Sequence, residues 1–162
     1  MTTTAAPTVR VRRARLADLG TVVRLRLALL REHGDHPIYS RLRPDAERRA
    51  REVFASQLTS TGEQMFLAEH EGAVVGILRC VESISSPLLD PPRYGYVSSV
   101  YVEPAQRRHG VLRALLAAAE EWCRQRGIVE LRLHSVYGDP VSSTAWEHVG
   151  FEPVEVVRMK KL

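Results

Sequence analysis

The sequence predicts an α+β fold, with one mixed sheet of six to seven strands and about four helices. Three observations carry this. Several short runs alternate apolar and polar residues with the strand period of two. Other runs repeat apolar residues at helical spacing, as in Val22, Leu25 and Leu29. At 162 residues the chain has the size of one domain and can bury a substantial core.

The elements follow in order. Residues 1–8 are small and polar and lack the apolar centre of a secretory signal. They are expected to be a disordered tail, which leaves 9–162 as the folded domain. Val9 and Val11 alternate with arginines in a first strand. Asp18 opens a helix to about Glu32, as its N-cap or first-turn acid. His33-Gly34-Asp35-His36-Pro37 breaks that helix. An Arg-rich amphipathic helix is expected from Asp45 to about Leu58. Strands Gln64–Glu69 and Ala73–Val81 are joined by a tight turn at His70-Glu71-Gly72. Residues 83–93 hold three prolines and form a loop. A strand then runs from Tyr94 to Val102. A helix follows to Arg126, its apolar face made of Leu112, Leu115, Leu116, Ala119, Trp122 and Cys123, with Gly127 as C-cap. Val129–Ser135 alternates as a further strand. Asp139-Pro140 opens a short helix that Gly150 ends. Glu155–Lys161 is expected as a last strand.

Composition narrows the function. Net charge is +4, but residues 1–60 hold 12 Arg against 6 Asp and Glu, so the basic excess lies in the first third. Those arginines are either solvated helix faces or a basic rim for an anionic acceptor or nucleic acid. In that third only Tyr39 and Phe54 are available to stack on bases, which ranks nucleic acid low. No apolar run approaches the ~20 residues of a membrane span. Cys80 and Cys123 have neither metal nor disulfide-framework spacing and fit reduced thiols of a cytoplasmic protein. His33 and His36 lack further ligands at metal spacing, so no metal is expected.

The most informative stretch is the turn between the Tyr94–Val102 strand and the helix after it: Arg107-Arg108-His109-Gly110-Val111-Leu112-Arg113. Free N–H groups of a first helical turn, the helix dipole and flanking arginines make an anion cradle, so a phosphate-bearing ligand is expected.

Three segments resemble the GCN5-related N-acetyltransferases (the GNAT family), in the family's order and spacing. Arg107–Leu112 is similar to the family's pyrophosphate loop. Trp146-Glu147-His148-Val149-Gly150-Phe151 resembles its Leu-Tyr-x-x-x-Gly-Phe segment. Arg12-Arg13-Ala14-Arg15-Leu16-Ala17-Asp18 resembles its opening. The resemblance implies the GNAT fold with splayed central strands, and acetyl-CoA as co-substrate. It implies direct acetyl transfer to a primary amine of a small molecule, or less favoured, of a protein. Two alternatives stay open: a non-catalytic acyl-CoA-binding sensor, and an acetyltransferase acting on charged tRNA. The family often forms homodimers.

By the same resemblance, backbone N–H groups of Arg107, Arg108, His109, Gly110, Val111, Leu112 and Arg113 hold the pyrophosphate. Leu112 stands where the family has Gly or Ala. Val100, Tyr101 and Val102 hold the pantetheine arm, and the Val102 N–H polarises the thioester carbonyl. Asp139, Ser143 and Trp146 belong to the same ligand site; Trp146 replaces the family's tyrosine and cannot deliver a proton. Tyr96-Val97-Ser98-Ser99 lacks the family's strand glutamate. Glu82 and His134 are the substitute bases, His134 because an unperturbed imidazole titrates near neutrality. Tyr137 or water is the candidate acid. His36, Tyr39 and Arg41, in the segment 33–45, are expected at the acceptor. The arginines there favour an amine that also bears a carboxylate or phosphate over a polycation.

Overall fold

Strands β1 (Arg10–Arg13), β2 (Glu63–His70), β3 (Ala73–Ile84), β4 (Arg93–Val102) and β5 (Leu131–Leu133) form one sheet in the order β1-β2-β3-β4-β5. This is seen in a computed structural model that describes residues 8–162. All but Thr8 of the expected tail lies outside the described residues. The pairs β1–β2, β2–β3 and β3–β4 are antiparallel. The β2–β3 turn takes positive φ at both Glu71 (51°) and Gly72 (80°), the primed geometry that matches strand twist.

Helices α1 (Leu19–Glu32) and α2 (Ala46–Leu58) cover one face of the sheet. Val22, Leu25, Leu27, Ala50 and Phe54 pack there against Met65, Leu67, Ile77 and Tyr101. Each such large apolar side chain contributes about 1.5–3 kcal/mol when fully buried. Helix α3 (Val111–Gln125) connects β4 to β5 and buries Val111, Leu115, Leu116, Ala119, Trp122 and Cys123. Leu112, expected on that stripe, is only half-buried, and Val111 takes the inner position instead. Gly76 and Gly95 let α3 and β5 approach the sheet. A Cβ at Gly95 would lie 2.6 Å from Leu131 Cδ2 and 2.7 Å from Cys123 Sγ. Gly127, at φ +71°, ends α3 as expected: Ile128 N–H reaches the Cys123 carbonyl at 2.9 Å.

The chain divides into two compact units, the first ending at Arg132 and the second spanning Leu133–Leu162. The second is built on α4 (Pro140–His148). The Asp139 side chain accepts from Val141 N–H at 3.1 Å, and Pro140 takes the first turn. Gly150 ends the helix with φ +94°, Phe151 N–H returns to the Trp146 carbonyl at 3.0 Å, and the Trp146 and Phe151 rings meet edge-on at 5.6 Å. The strand expected over 155–161 does not form, because residues 149–162 carry no helix or strand. A strand persists only beside a hydrogen-bonding neighbour, and this unit offers no other full strand among its described residues. Among the described residues the sheet therefore has five strands, rather than six or seven.

Candidate active site

The helix start expected after the Arg107–Gly110 turn forms where the residue pattern places it. Helix α3 starts at Gly110, whose φ of +77° lies in the left-handed region that glycine enters freely. No side chain caps this N-terminus and no acid sits in its first turn. Its N–H groups and dipole therefore remain available to an anion. Arg108, at φ +64°, turns the chain just before it. Arg108, His109 and Arg113 are exposed. Arg107 does something else. Its Nε donates to the Val102 carbonyl at 3.0 Å and its Nη2 pairs with Glu32 of α1. Its charge is thus spent bracing the cradle. Arg24 of α1 adds a second brace, pairing with Glu103 at 2.8 Å. His70 of the β2–β3 hairpin donates from Nδ1 to Gln106 Oε1 at 2.7 Å, and its ring lies 6.3 Å from that of His109.

Strand β4 is broken in mid-course. Ile77 faces Tyr101 while Arg79 faces Ser98, so β4 carries an extra residue between them. Ser99 absorbs it at φ +59°. Such a bulge bends its strand and interrupts pairing. The bond from Gly95 N–H to the Glu130 carbonyl ties the start of β4 to the segment leading into β5. Val100, Tyr101 and Val102 run on beyond the bulge, towards the cradle. Val100 and Val102 are half-buried, and Tyr101 is buried against the α1–α2 face.

On that same face the bulge is flanked by charge. Arg79 Nε pairs with Glu63, and its Nη1 lies 3.4 Å from Ser98 Oγ. Arg26 of α1 stacks its guanidinium 4.8 Å above the Phe54 ring. Its Nε is buried without a hydrogen-bond partner. Burial, and then the neighbouring Arg79, lower its pKa to about 10. Burial, and then Tyr39, push the Tyr96 phenol up from its ordinary value. In the 33–45 segment His36 Nδ1 accepts from the N–H groups of Ile38 (3.1 Å) and Tyr39 (3.2 Å), and its ring stacks on Tyr39 at 4.4 Å. Arg41 is exposed.

Glu82 does not stand with these groups. It shares the face of Cys80, which meets Cys123 of α3 at 3.6 Å, so it points to the α3 side. It pairs with Arg93 at 2.5 Å and Arg126 at 3.0 Å, and these two hold its carboxyl below the usual range. A carboxylate so held is a poor base at neutral pH. In the second unit His134 and Tyr137 are exposed, Ser143 Oγ donates to Glu147 at 3.1 Å, and Asp139 is occupied as the N-cap.

Comparison with known proteins is decisive for family. The Acetyltransferase (GNAT) family matches residues 28–151. An aminoglycoside N(6')-acetyltransferase type 1 from Stenotrophomonas maltophilia is 30% identical over 154 residues, which cover 94% of this chain and 90% of the relative. The chain belongs to the GNAT acetyltransferase family. An acetyltransferase from Clostridium acetobutylicum, solved with acetyl-CoA, superposes with a TM-score of 0.76 at 18% identity, over 94% of this chain and 96% of that one. An aminoglycoside N-acetyltransferase in complex with CoA gives 0.78 at 19% identity, over 99% of each chain. This acetyltransferase transfers an acetyl group from acetyl-CoA to nitrogen.

Several site features of the acetyltransferase carry little sequence signal. Ser98-Ser99 reads as an ordinary stretch of strand, because a bulge without glycine leaves no residue mark. The Glu32 and Arg24 braces join positions far apart in sequence. Arg26 and Arg79 were detectable in principle. Arg26 lies four residues after Val22 and three after Val23, on the apolar stripe of α1, and Arg79 is in phase with Val75 and Ile77. An arginine on an apolar stripe asks for a partner.

Proposed function

We propose that the protein moves the acetyl group directly from acetyl-CoA to a primary amine of a small molecule. The observation that carries this is the bulge at Ser98–Ser99, set in the strand that leads through Val100–Val102 into the uncapped N-terminus of α3. One continuous path offers N–H groups for a pyrophosphate, a strand for the pantetheine arm, and a break in the sheet for the acetyl group. Relatives named for aminoglycoside acetylation support a small molecule over a protein as acceptor.

In the reaction the amine nitrogen attacks the thioester carbonyl and the C–S bond breaks. The CoA thiolate leaves, and a base takes the proton lost by nitrogen. The Val102 N–H is our candidate to polarise the carbonyl. His134 is the candidate base, and Tyr137 or water the proton source for the thiolate. Glu82 is set aside for this role because both its oxygens are engaged by arginines on the α3 side. Backbone N–H groups of Arg107, Arg108, His109, Gly110, Val111, Leu112 and Arg113 are assigned to the phosphates, and the Arg107 side chain to holding their loop. Direct transfer predicts intersecting initial-rate lines when amine and acetyl-CoA are varied together. Parallel lines with an acetylated protein detected by mass would refute it.

A further inference from the structure

Charge on the α1–α2 side of the bulge does not balance. Arg26 and Arg79 contribute two positive charges, and Glu63, paired with Arg79, contributes one negative charge. Arg26 makes no ion pair among the described residues, and its Nε is buried without a hydrogen-bond partner. Buried polar groups are nearly always satisfied, so this one points to a ligand. Its place fits. The stem enters from α1 one turn beyond the buried Val22 and Val23, and the Phe54 ring orients the guanidinium plane. Arg79, in phase with Ile77 on that face, reaches Ser98 Oγ at the bulge at 3.4 Å.

We propose that Arg26, with Arg79 beside it, recognises a single carboxylate on the acceptor. The substrate class is then a small amine bearing one carboxylate, such as an amino acid, and not a polycation. This rests on the acetyl-transfer reading and names its acceptor. Guanidinium binds carboxylate through paired N–H donors, which suits a planar monoanion. One carboxylate brings the net charge of the cluster to zero. A phosphate dianion would overshoot, and a polycation would face two like charges with the one nearby acid already engaged.

The test measures thiol release from acetyl-CoA with matched acceptors: amino acids, their methyl esters, their decarboxylated amines, phosphoethanolamine and a polycationic aminoglycoside. Wild type is compared with Arg26→Gln and Arg26→Lys. The expected result is highest kcat/KM on the free amino acids. In Arg26→Gln, KM for these rises about tenfold or more with little change in kcat, while KM for esters and decarboxylated amines stays put. Arg26→Lys restores part of the loss. Affinity for acetyl-CoA, followed by thermal shift, is unchanged in both variants, which separates acceptor recognition from loss of structure. Preference for the ester, the amine, phosphoethanolamine or the aminoglycoside overturns the proposal and leaves acetyl transfer standing. Equal losses on every acceptor in Arg26→Gln also overturn it. Thiol release on no amine overturns the transfer reading and this proposal with it.

Discussion

Replacing Arg26 with methionine should make the protein more stable. The Arg26 guanidinium is pushed down to about 10 by burial and by Arg79. A charged form disfavoured to that extent is a standing cost. At about 1.4 kcal/mol for each pH unit, the drop corresponds to about 3 kcal/mol at neutral pH. Against this stands the contact with Phe54 at 4.8 Å, worth about 1–2 kcal/mol when desolvated. Methionine keeps an unbranched stem in the same space and removes the unpartnered Nε. The net gain is about 1–2 kcal/mol. For a chain of this size each kcal/mol moves Tm by about 2–4 °C, so a rise of roughly 2–8 °C is expected in calorimetry. The neighbouring arginine supplies the control. Arg79→Met strands Glu63, whose side chain is 11% exposed, without its cation. Breaking a fully buried pair costs about 3–5 kcal/mol, and this part-buried one should cost about 1–3 kcal/mol. Two arginines on one face should therefore give shifts of opposite sign. A fall in Tm for Arg26→Met, at neutral pH and without ligand, would refute the reasoning. It would show that packing and the ring contact outweigh the buried charge.

Other expectations follow from the same geometry. Gly95→Ala forces a Cβ against Leu131 and Cys123 and should cost about 1–3 kcal/mol in urea denaturation, because overpacking cannot relax between two buried sulfurs. Gly110→Trp should abolish acetyl-CoA binding by calorimetric titration while retaining fold. Open space surrounds that Cβ, so the penalty is the left-handed backbone, about 1–2 kcal/mol, and an indole in the cradle. Asp18, held below the usual carboxylate range by Arg12, and Glu82, held there by Arg93 and Arg126, stabilise the fold when ionised. That contribution is full above the ordinary carboxylate pKa of about 4 and is lost as pH falls through the lowered values. Tm should drop on acidification below about pH 4, and Glu82→Gln should flatten the lower part of the curve. Tyr137→Phe should lower kcat and shift its alkaline limb if the phenol protonates the thiolate; an unchanged pH profile assigns that step to water.

What was legible in the sequence follows from how local each signal is. Helix starts and stops were local. Gly127 and Gly150 end helices because a left-handed residue releases the chain there, and Asp139 caps because its carboxylate reaches one N–H two residues on. The cradle was legible for the same reason, since one short segment holds glycine, arginines and helix start together. The strand expected at 155–161 failed because pairing is a property of two segments, and alternation in one segment cannot supply the second. Glu82 was named as a base for its chemistry. Its partners, Arg93 and Arg126, lie 11 and 44 residues away, and only the fold brings them together. The Arg107 side chain likewise reads as a charge flanking the phosphates until Glu32, 75 residues earlier, is found on it.

These ion pairs also suggest how the two halves of the site divide their work. At the start of α3, Arg24 and Arg107 tie α1 to the loop through Glu103 and Glu32, and in the proposed reading the phosphates are left to backbone N–H groups. Backbone donors at a helix start need no side-chain ordering, so a rigid loop is what they require. In the proposed acceptor recognition the work falls to a side chain, Arg26, whose Nε is buried without a hydrogen-bond partner. A carboxylate paired with Arg26 would offset the cost that its buried charge carries in the free protein. Ligand binding and charge compensation then become the same event, so a carboxylate-bearing acceptor should raise Tm of the wild type and, at the same concentration, raise Tm of Arg26→Met by much less.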